Sequence, residues 1–516
     1  MATLVNLDAL LKREDFDIVG DSEQTMQLQT IQIRDLEPTA FFYVVLRKPV
    51  FQRETADWNT KKVVDFIQCF LSGDLIPSII LWRTKASQVF VIDGAHRLSA
   101  LIAWVNDDYG DGDISKSFFE FSIPEDQVSV ANKTRDLIHK SIGSYKDHKF
   151  AAEHPERSTT DIVERVRQLA TLGIQVQWVK GTSEKAEAAF FKINQEPVTI
   201  NKTEIRLLQS RNKPNAVAAR AIIRSGTGHK YWSAFNEENK LDIESIAKNI
   251  NEILFVPSMS KPVKTLDLPI GGQVYSAKAL PLVLDLVNLT NDNISDKDLD
   301  DDIDGYQTIK FLNNTKRIVY QISGMHASSL GLHPIVYFYS VYAYYQPTSF
   351  FAIVSLIMDF HRTKGYKKFI DNRAKLEKFL LQHKDIQNQV AVKYGVGLKG
   401  QKYLVELYNF LIDEFDNGVE NSEVISKLQV HQTFRFLKLN GDVNILEKRK
   451  DFSTETKSAA FIREALQNPL TCSICGGLIH SPSITFDHKI RKQNGGKGNL
   501  DNAQIAHPYC NTTYKN

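Results

Sequence analysis

The chain has 516 residues, a formal net charge of +2, 42% hydrophobic residues and four cysteines. Sparse cysteine excludes a disulfide scaffold, near-neutrality leaves charge as supporting evidence only, and the length asks for two to four domains with real cores. No stretch reads as a signal peptide or a bilayer span, so a cytoplasmic protein with no membrane partner is expected. There are no internal repeats.

In chain order, Phe51-Gln52-Arg53 and Trp58 come first, followed by VFVIDGAHRLSALIAWV at Val89–Val105. The second stretch predicts a strand ending at Asp93, a tight turn at Gly94 and then a helix. Leu98, Leu101, Ile102 and Val105 of that helix fall on one buried stripe. A strand, a glycine turn and a helix start present free backbone N–H groups to an anion, and Arg97 adds a bidentate phosphate donor. Asp93 and Arg97 can equally form an ion pair with only a structural role.

Asp93-Gly94-Ala95-His96-Arg97 resembles the DGQ(H/Q)R motif of a bacterial family in the ParB/sulfiredoxin-like superfamily. Phe51-Gln52-Arg53 resembles that family's (Y/F)QR, and Phe190–Arg206 (FFKINQEPVTINKTEIR) resembles its Asn-containing strand-loop-helix segment. The family includes subunits of GmrSD-type modification-dependent restriction systems and phage-defence proteins. In them this domain binds or hydrolyses nucleoside triphosphate or senses modified DNA. The resemblance implies an α/β domain over 1–235. Its nucleotide pocket would use Arg53 and Arg97 as anion donors, Gly94 as the turn, Asp93 as a metal or water contact and His96 as polariser. Ala95 replaces the usual Gln, and it also stands where sulfiredoxins carry their catalytic Cys, which argues against that redox chemistry.

From 236 to 446 the pattern is mainly helical, with apolar residues at helical spacing over Ser276–Leu289, Tyr306–Ile322 and Leu376–Phe415. Asp300-x-Asp302-x-Asp304-Gly305 copies the start of a calcium loop. Its twelfth position is Phe311 rather than Glu, so the stretch reads as a solvated acidic loop. Pro334–Phe360, broken at Pro347, reads as two buried helices. Cys69, in the apolar run VVDFIQCFL, reads as a small core residue. A charged linker is expected at 447–456, tethering a C-terminal unit over 457–516 that opens with a short helix, Lys457–Gln467. From Glu447 on there are ten Lys/Arg against six Asp/Glu. Lys448-Arg449-Lys450, Lys489, Arg491, Lys492 and Lys497 are candidates for phosphate contact, although most such charges merely form a solvated face.

The tail is the strongest signal. Cys472, Cys475, His507 and Cys510 supply three thiolates and an imidazole in two x2 pairs, a set suited to a structural tetrahedral zinc ion that would staple a segment too short for a core. Between the pairs lie Asp487-His488, Gly495-Gly496 and Asn502, and Asn511 follows the last Cys. In order and spacing they resemble the HNH endonucleases, whose fold is a ββα unit around a catalytic metal.

That resemblance implies His488 as general base and Asp487 and Asn511 as ligands of the catalytic ion. Asn502 would orient the imidazole through its carbonyl oxygen. The chemistry agrees, since histidine suits deprotonation of water near neutral pH and hard oxygen ligands suit magnesium or manganese. The expected architecture is therefore α+β and multidomain: an N-terminal α/β domain, a helical middle domain and a zinc-stapled HNH unit. The expected function is cleavage of DNA under nucleotide or modification control, in restriction or anti-phage defence, with a homo-oligomer or an operon partner left open. The alternatives are an NTP-hydrolysing switch, or a non-cleaving DNA-modification reader whose HNH unit only binds. RNA remains open as a substrate.

Overall fold

The computed structural model describes residues 4–14, 28–49, 52, 55–84, 87–119, 121, 123, 125–195, 206–207, 210–227, 230–273, 279–292, 299–439 and 452–515. The chain divides into two compact units, the first built mainly from Met1–Ala216 and the second from Val217–Gly226, Phe235–Val274 and Lys278–Asn516. No helix among the described residues is long and apolar enough to cross a membrane.

The first unit is organised by a six-stranded sheet. Its strands are β1 (Arg13–Glu14), β2 (Thr30–Ile31), β3 (Leu46–Pro49), β4 (Ile79–Arg83), β5 (Val89–Asp93) and β6 (Ile174–Trp178), in the order β1-β3-β5-β4-β6-β2. β3 pairs in parallel with β1 and β5, and β4 pairs in parallel with β6. The β4–β5 and β2–β6 pairs are antiparallel. β5 is apolar on both faces because both are covered. Val89 and Val91 enter the main core, while Phe90 and Ile92 enter a second core with Trp82, Ala186 and Phe190.

The predicted strand-turn-helix is present. Gly94 adopts φ 98°, and the helix Ala95–Asn106 begins directly after it, burying Leu98, Leu101 and Ile102. A side chain at Gly94 would suffer twice, from the positive φ and from Ile79 Cδ1, 2.3 Å from an added Cβ.

In the second unit the helices Glu237–Phe255, Ala279–Thr290, Tyr306–Ile322, Pro347–Thr363, Tyr366–Gln382, Ile386–Tyr394 and Leu398–Asp416 enclose an aromatic-rich core. The helical spacing over 376–415 is realised as parts of three helices, with breaks at His383 and at Gly395–Gly397. Only the second helix expected in 334–360 is long. Pro347 opens it at a position where a missing N–H costs nothing, whereas 338–346 folds as a turn in which Tyr339 and Tyr345 pair as a bridge.

Asp302 is not part of a solvated loop. It is buried, and its carboxylate accepts from Gly305 N at 3.0 Å and from Thr308 N and Oγ1 at 2.7 Å, capping the helix Tyr306–Ile322. Cys69 is half-exposed rather than core.

The buried Lys384 escaped sequence reading. Its Nζ donates to the Val336 carbonyl at 2.6 Å and to Gln387 Oε1 at 3.3 Å, and burial pulls its pKa down to about 7. The unfolded chain holds that proton up to about pH 10.4, so stability should rise with pH between roughly 7 and 10.4. Lys384→Met should therefore gain most over the parent at pH 7 or below, and the gain should shrink toward pH 10. Thermal melts across that range check this, and a pH-independent difference contradicts it.

The expected linker at 447–456 falls largely outside the described residues, as does Lys448-Arg449-Lys450. Thr454 already opens the helix Thr454–Ala465, capped by Ser453 accepting from Thr456 N at 3.1 Å. The C-terminal segment beyond it is hydrogen-bonded to loops of the helical body. Gly324 N donates to Ser483 Oγ at 2.9 Å, Tyr509 N to the Ser329 carbonyl at 3.0 Å and Thr512 Oγ1 to the Ala327 carbonyl at 2.9 Å. Ser481 Oγ donates to Asp267 at 2.7 Å.

Candidate active site and metal centre

The C-terminal segment is a small two-stranded unit. β7 (Thr485–His488) pairs antiparallel with β8 (Ala503–Ala506), and the short helical turn Cys510–Tyr514 packs on β7. Two knuckles, the first followed by Gly476-Gly477 and the second without glycine, bring the four candidate metal ligands together. Cys472 and Cys475 lie in a turn closed by Gly476 N to the Cys472 carbonyl at 2.8 Å, and His507 follows β8 directly.

The donor atoms of Cys472, Cys475, His507 and Cys510 all lie within 4.8 Å of one another. Cys475 Sγ is 3.4 Å and Cys510 Sγ 3.9 Å from His507 Nδ1. Tetrahedral zinc with ordinary bond lengths would set that separation at about 3.6 Å. His507 Nε2 lies 2.9 Å from the Leu478 carbonyl, which can only accept, so the proton sits on Nε2 and the Nδ1 lone pair faces the sulfurs. Burial, helped by the Arg373 charge, lowers the His507 pKa and so favours the neutral form that a metal ligand requires. The cluster suggests zinc binding.

Asp487 and His488 are consecutive on β7, on its opposite faces. Asp487 Oδ2 accepts from Gln504 Nε2 at 2.7 Å and from Lys515 Nζ at 2.6 Å, and Lys515 also bonds the His488 carbonyl. Burial pushes the Asp487 carboxyl up, but these two donors outweigh it and hold the pKa below the ordinary carboxylate value. Asn511 Nδ2 lies 3.3 Å from Thr485 Oγ1 and from the Phe486 carbonyl, which brings its carboxamide to the same strand. A carboxylate and a carboxamide oxygen are hard donors of the kind that suits magnesium or manganese.

Asn502 is placed differently from the expectation. Its Oδ1 accepts from Ile490 N at 2.7 Å, and its Nδ2 donates to the carbonyls of Ile490 and Lys497. The side chain therefore clamps the loop that carries Gly495 and Gly496, rather than bonding the imidazole. A nearly buried amide is best satisfied by the backbone groups around it. Lys489, Lys492 and Lys497 are exposed, whereas Arg491 is committed to the Lys515 carbonyl.

In the first unit, Arg97 Nη2 bonds Asp93 Oδ2 at 2.6 Å and reaches the Ser78 carbonyl at 3.5 Å. The ion-pair alternative is thus realised in this geometry. His96 stacks on Trp58 with ring centroids 5.7 Å apart and lies 4.0 Å from Asp57, while Lys62 sits over the same indole. Arg53 and Phe51 lie outside the described residues, as do 196–205 of the 190–206 segment.

Sequence reading missed a buried knot beside Gln52. The Asp8 carboxylate accepts from Arg13 Nη2 at 2.8 Å, from Lys48 Nζ and from Thr55 N at 3.0 Å, and Arg13 also bonds the Gln52 carbonyl. Its members are scattered from 8 to 55 with no motif spacing, so no local signal marked them.

Four clustered Cys/His donors next to a β-hairpin bearing Asp-His, on a helical body, fit a metal-stapled hydrolase unit. The comparisons with known proteins agree. A family described as "HNH endonuclease" matches residues 472–516, and one described as "GmrSD restriction endonuclease, N-terminal domain" matches residues 33–212. The chain thus carries both domains of the GmrSD-type fusion, which support a restriction-type nuclease with DNA as its substrate. No curated relative and no solved structure matches the chain.

Proposed function

We propose that the protein is a divalent-metal-dependent endonuclease of restriction or anti-phage defence, controlled by nucleotide or DNA modification sensed in its first unit. The observation that carries this reading is the Asp487-His488 pair on β7, held beside Asn511 and a zinc-type cluster. In this reading His488 takes a proton from water as it attacks phosphorus, a role suited to an imidazole on an exposed hairpin. Asp487 and Asn511 would hold magnesium or manganese, which when bound supplies charge stabilisation for the leaving 3′ oxygen. Lys515 keeps Asp487 ionised and fixed against the strand, and Asn502 holds the loop at the end of the hairpin. Lys489, Lys492 and Lys497 offer phosphate contacts without reading sequence.

Control through the first unit rests on the strand-glycine-helix turn at Gly94 and on Trp58 and His96 beside it. Because Arg97 is engaged by Asp93, an incoming phosphate must compete with that carboxylate. NTP hydrolysis there, and assembly with itself or with an operon partner, are parts of this proposal. Titration of magnesium or manganese into zinc-loaded protein with supercoiled plasmid tests the reading. Relaxation should follow the added ion and be abolished in Asp487→Ala with zinc content unchanged. Cleavage that persists in Asp487→Ala would remove that residue from the site.

A further inference from the structure

The helix Tyr366–Gln382 ends ninety positions before the first metal-ligand cysteine, yet two of its residues are built into the metal centre. Arg373 and Glu377 are buried to 0% and 1% side-chain exposure and pair one turn apart, Nε to Oε1 at 2.6 Å. Arg373 donates to the carbonyls of Leu330 at 2.5 Å and Gly331 at 3.0 Å, and its Nη1 lies 3.2 Å from His507 Nδ1. The other Glu377 oxygen accepts from Leu478 N at 2.6 Å. Leu478 is the residue whose carbonyl fixes the His507 ring, so Glu377 holds the group that holds the ligand.

The knuckle is shaped for this visitor. An added Cβ at Gly477 would stand 2.4 Å from Arg373 Nε, so any side chain there would displace the guanidinium. An added Cβ at Gly331 would likewise stand 2.7 Å from His507 Cδ2. A buried guanidinium is costly unless its charge is answered. Burial opposes the charged form of Arg373, but Glu377 first and then Cys475, Tyr337 and Cys510 outweigh it, and its pKa is raised. Three thiolates and a neutral imidazole around a divalent ion carry net negative charge, which a fixed cation at this distance offsets. Metal on His507 Nδ1 would take the lone pair that Arg373 meets, while the Leu330 and Gly331 carbonyls would still hold the guanidinium.

We propose that Arg373 and Glu377 are positioning residues of the metal centre. Arg373 is the counter-cation of the thiolate cluster, and Glu377 is the clamp on Leu478. Metal binding and the seating of the C-terminal segment on the helix Tyr366–Gln382 are then one event. The inference rests on the zinc reading and deepens it, since the nuclease unit takes part of its metal centre from the helical body. A change in that body therefore has a short route to β7.

The test uses the full chain and follows zinc release to a chromogenic chelator. Arg373→Met should release zinc at least about tenfold faster than the parent, with Arg373→Lys restoring part of the loss. The thiolate-to-cobalt bands of the cobalt-substituted protein should shift in Arg373→Met. Unchanged release and an unchanged cobalt spectrum would overturn the proposal. If Arg373→Met does not fold, hydrogen exchange of the wild type decides. Chelation should expose amides in 329–331, 366–382 and 476–479 together, and protection unchanged across 366–382 would overturn the coupling. Wild-type protein that binds no zinc would instead overturn the metal reading, and this inference with it.

Discussion

The double variant Cys472→Ser, Cys510→Ser is expected to lose its zinc, to unfold the segment 470–515 locally and to lose DNA cleavage, while the first unit stays folded. The reason is the balance of forces in this segment. Among its described residues, few apolar side chains are buried apart from the ligands themselves, while Phe486, Ile490 and Leu500 are well exposed. A hairpin of two four-residue strands is marginal by itself, whereas a structural zinc ion contributes on the order of 10 kcal/mol in comparable small domains. Through Arg373 and Glu377 the loss of protection should extend to 329–331 and 366–382, within the second unit. Zinc analysis together with hydrogen exchange checks this, and retained zinc with full protection of β7 and β8 would contradict it.

The second large effect is expected of His488→Ala. If His488 is the general base proposed above, its loss should lower the cleavage rate by roughly 10²–10⁴-fold. Zinc content and melting temperature should hardly move, because the imidazole is half-exposed and lies outside the four-donor cluster. Single-turnover cleavage of a supercoiled plasmid reads the rate directly. A rate within a few-fold of wild type would take His488 out of the chemistry and favour a unit that only binds DNA.

What was legible in the sequence was local. The cluster could be read because only two residues separate the members of each ligand pair and the β7–β8 hairpin does the rest. The turn at Gly94 could be read because a strand, a glycine and a helical stripe follow one another within seventeen residues. Contacts across long sequence separations were not legible. Nothing near Arg373 announces that it would stand 3.2 Å from His507, 134 residues away, and Glu377 meets Leu478 across 101 residues. For the same reason the charged stretch before Thr454 read as a tether, although the segment beyond it is hydrogen-bonded to Ser329, Ala327 and Asp267. Asn502 and Asp302 show the other failure. The HNH resemblance implied an orienting group at 502 and the lack of a twelfth ligand at Phe311 a solvated acid at 302, but local backbone donors and acceptors engage both side chains.

The measurement that tests the central claim most directly is cleavage of base-modified and unmodified phage DNA by the zinc-loaded wild-type protein in magnesium, with and without nucleoside triphosphate. The account predicts that the DNA is cut and that the rate depends on the modification, on the nucleotide or on both. Folded, zinc-bound protein that cuts neither DNA under any of these conditions would contradict it.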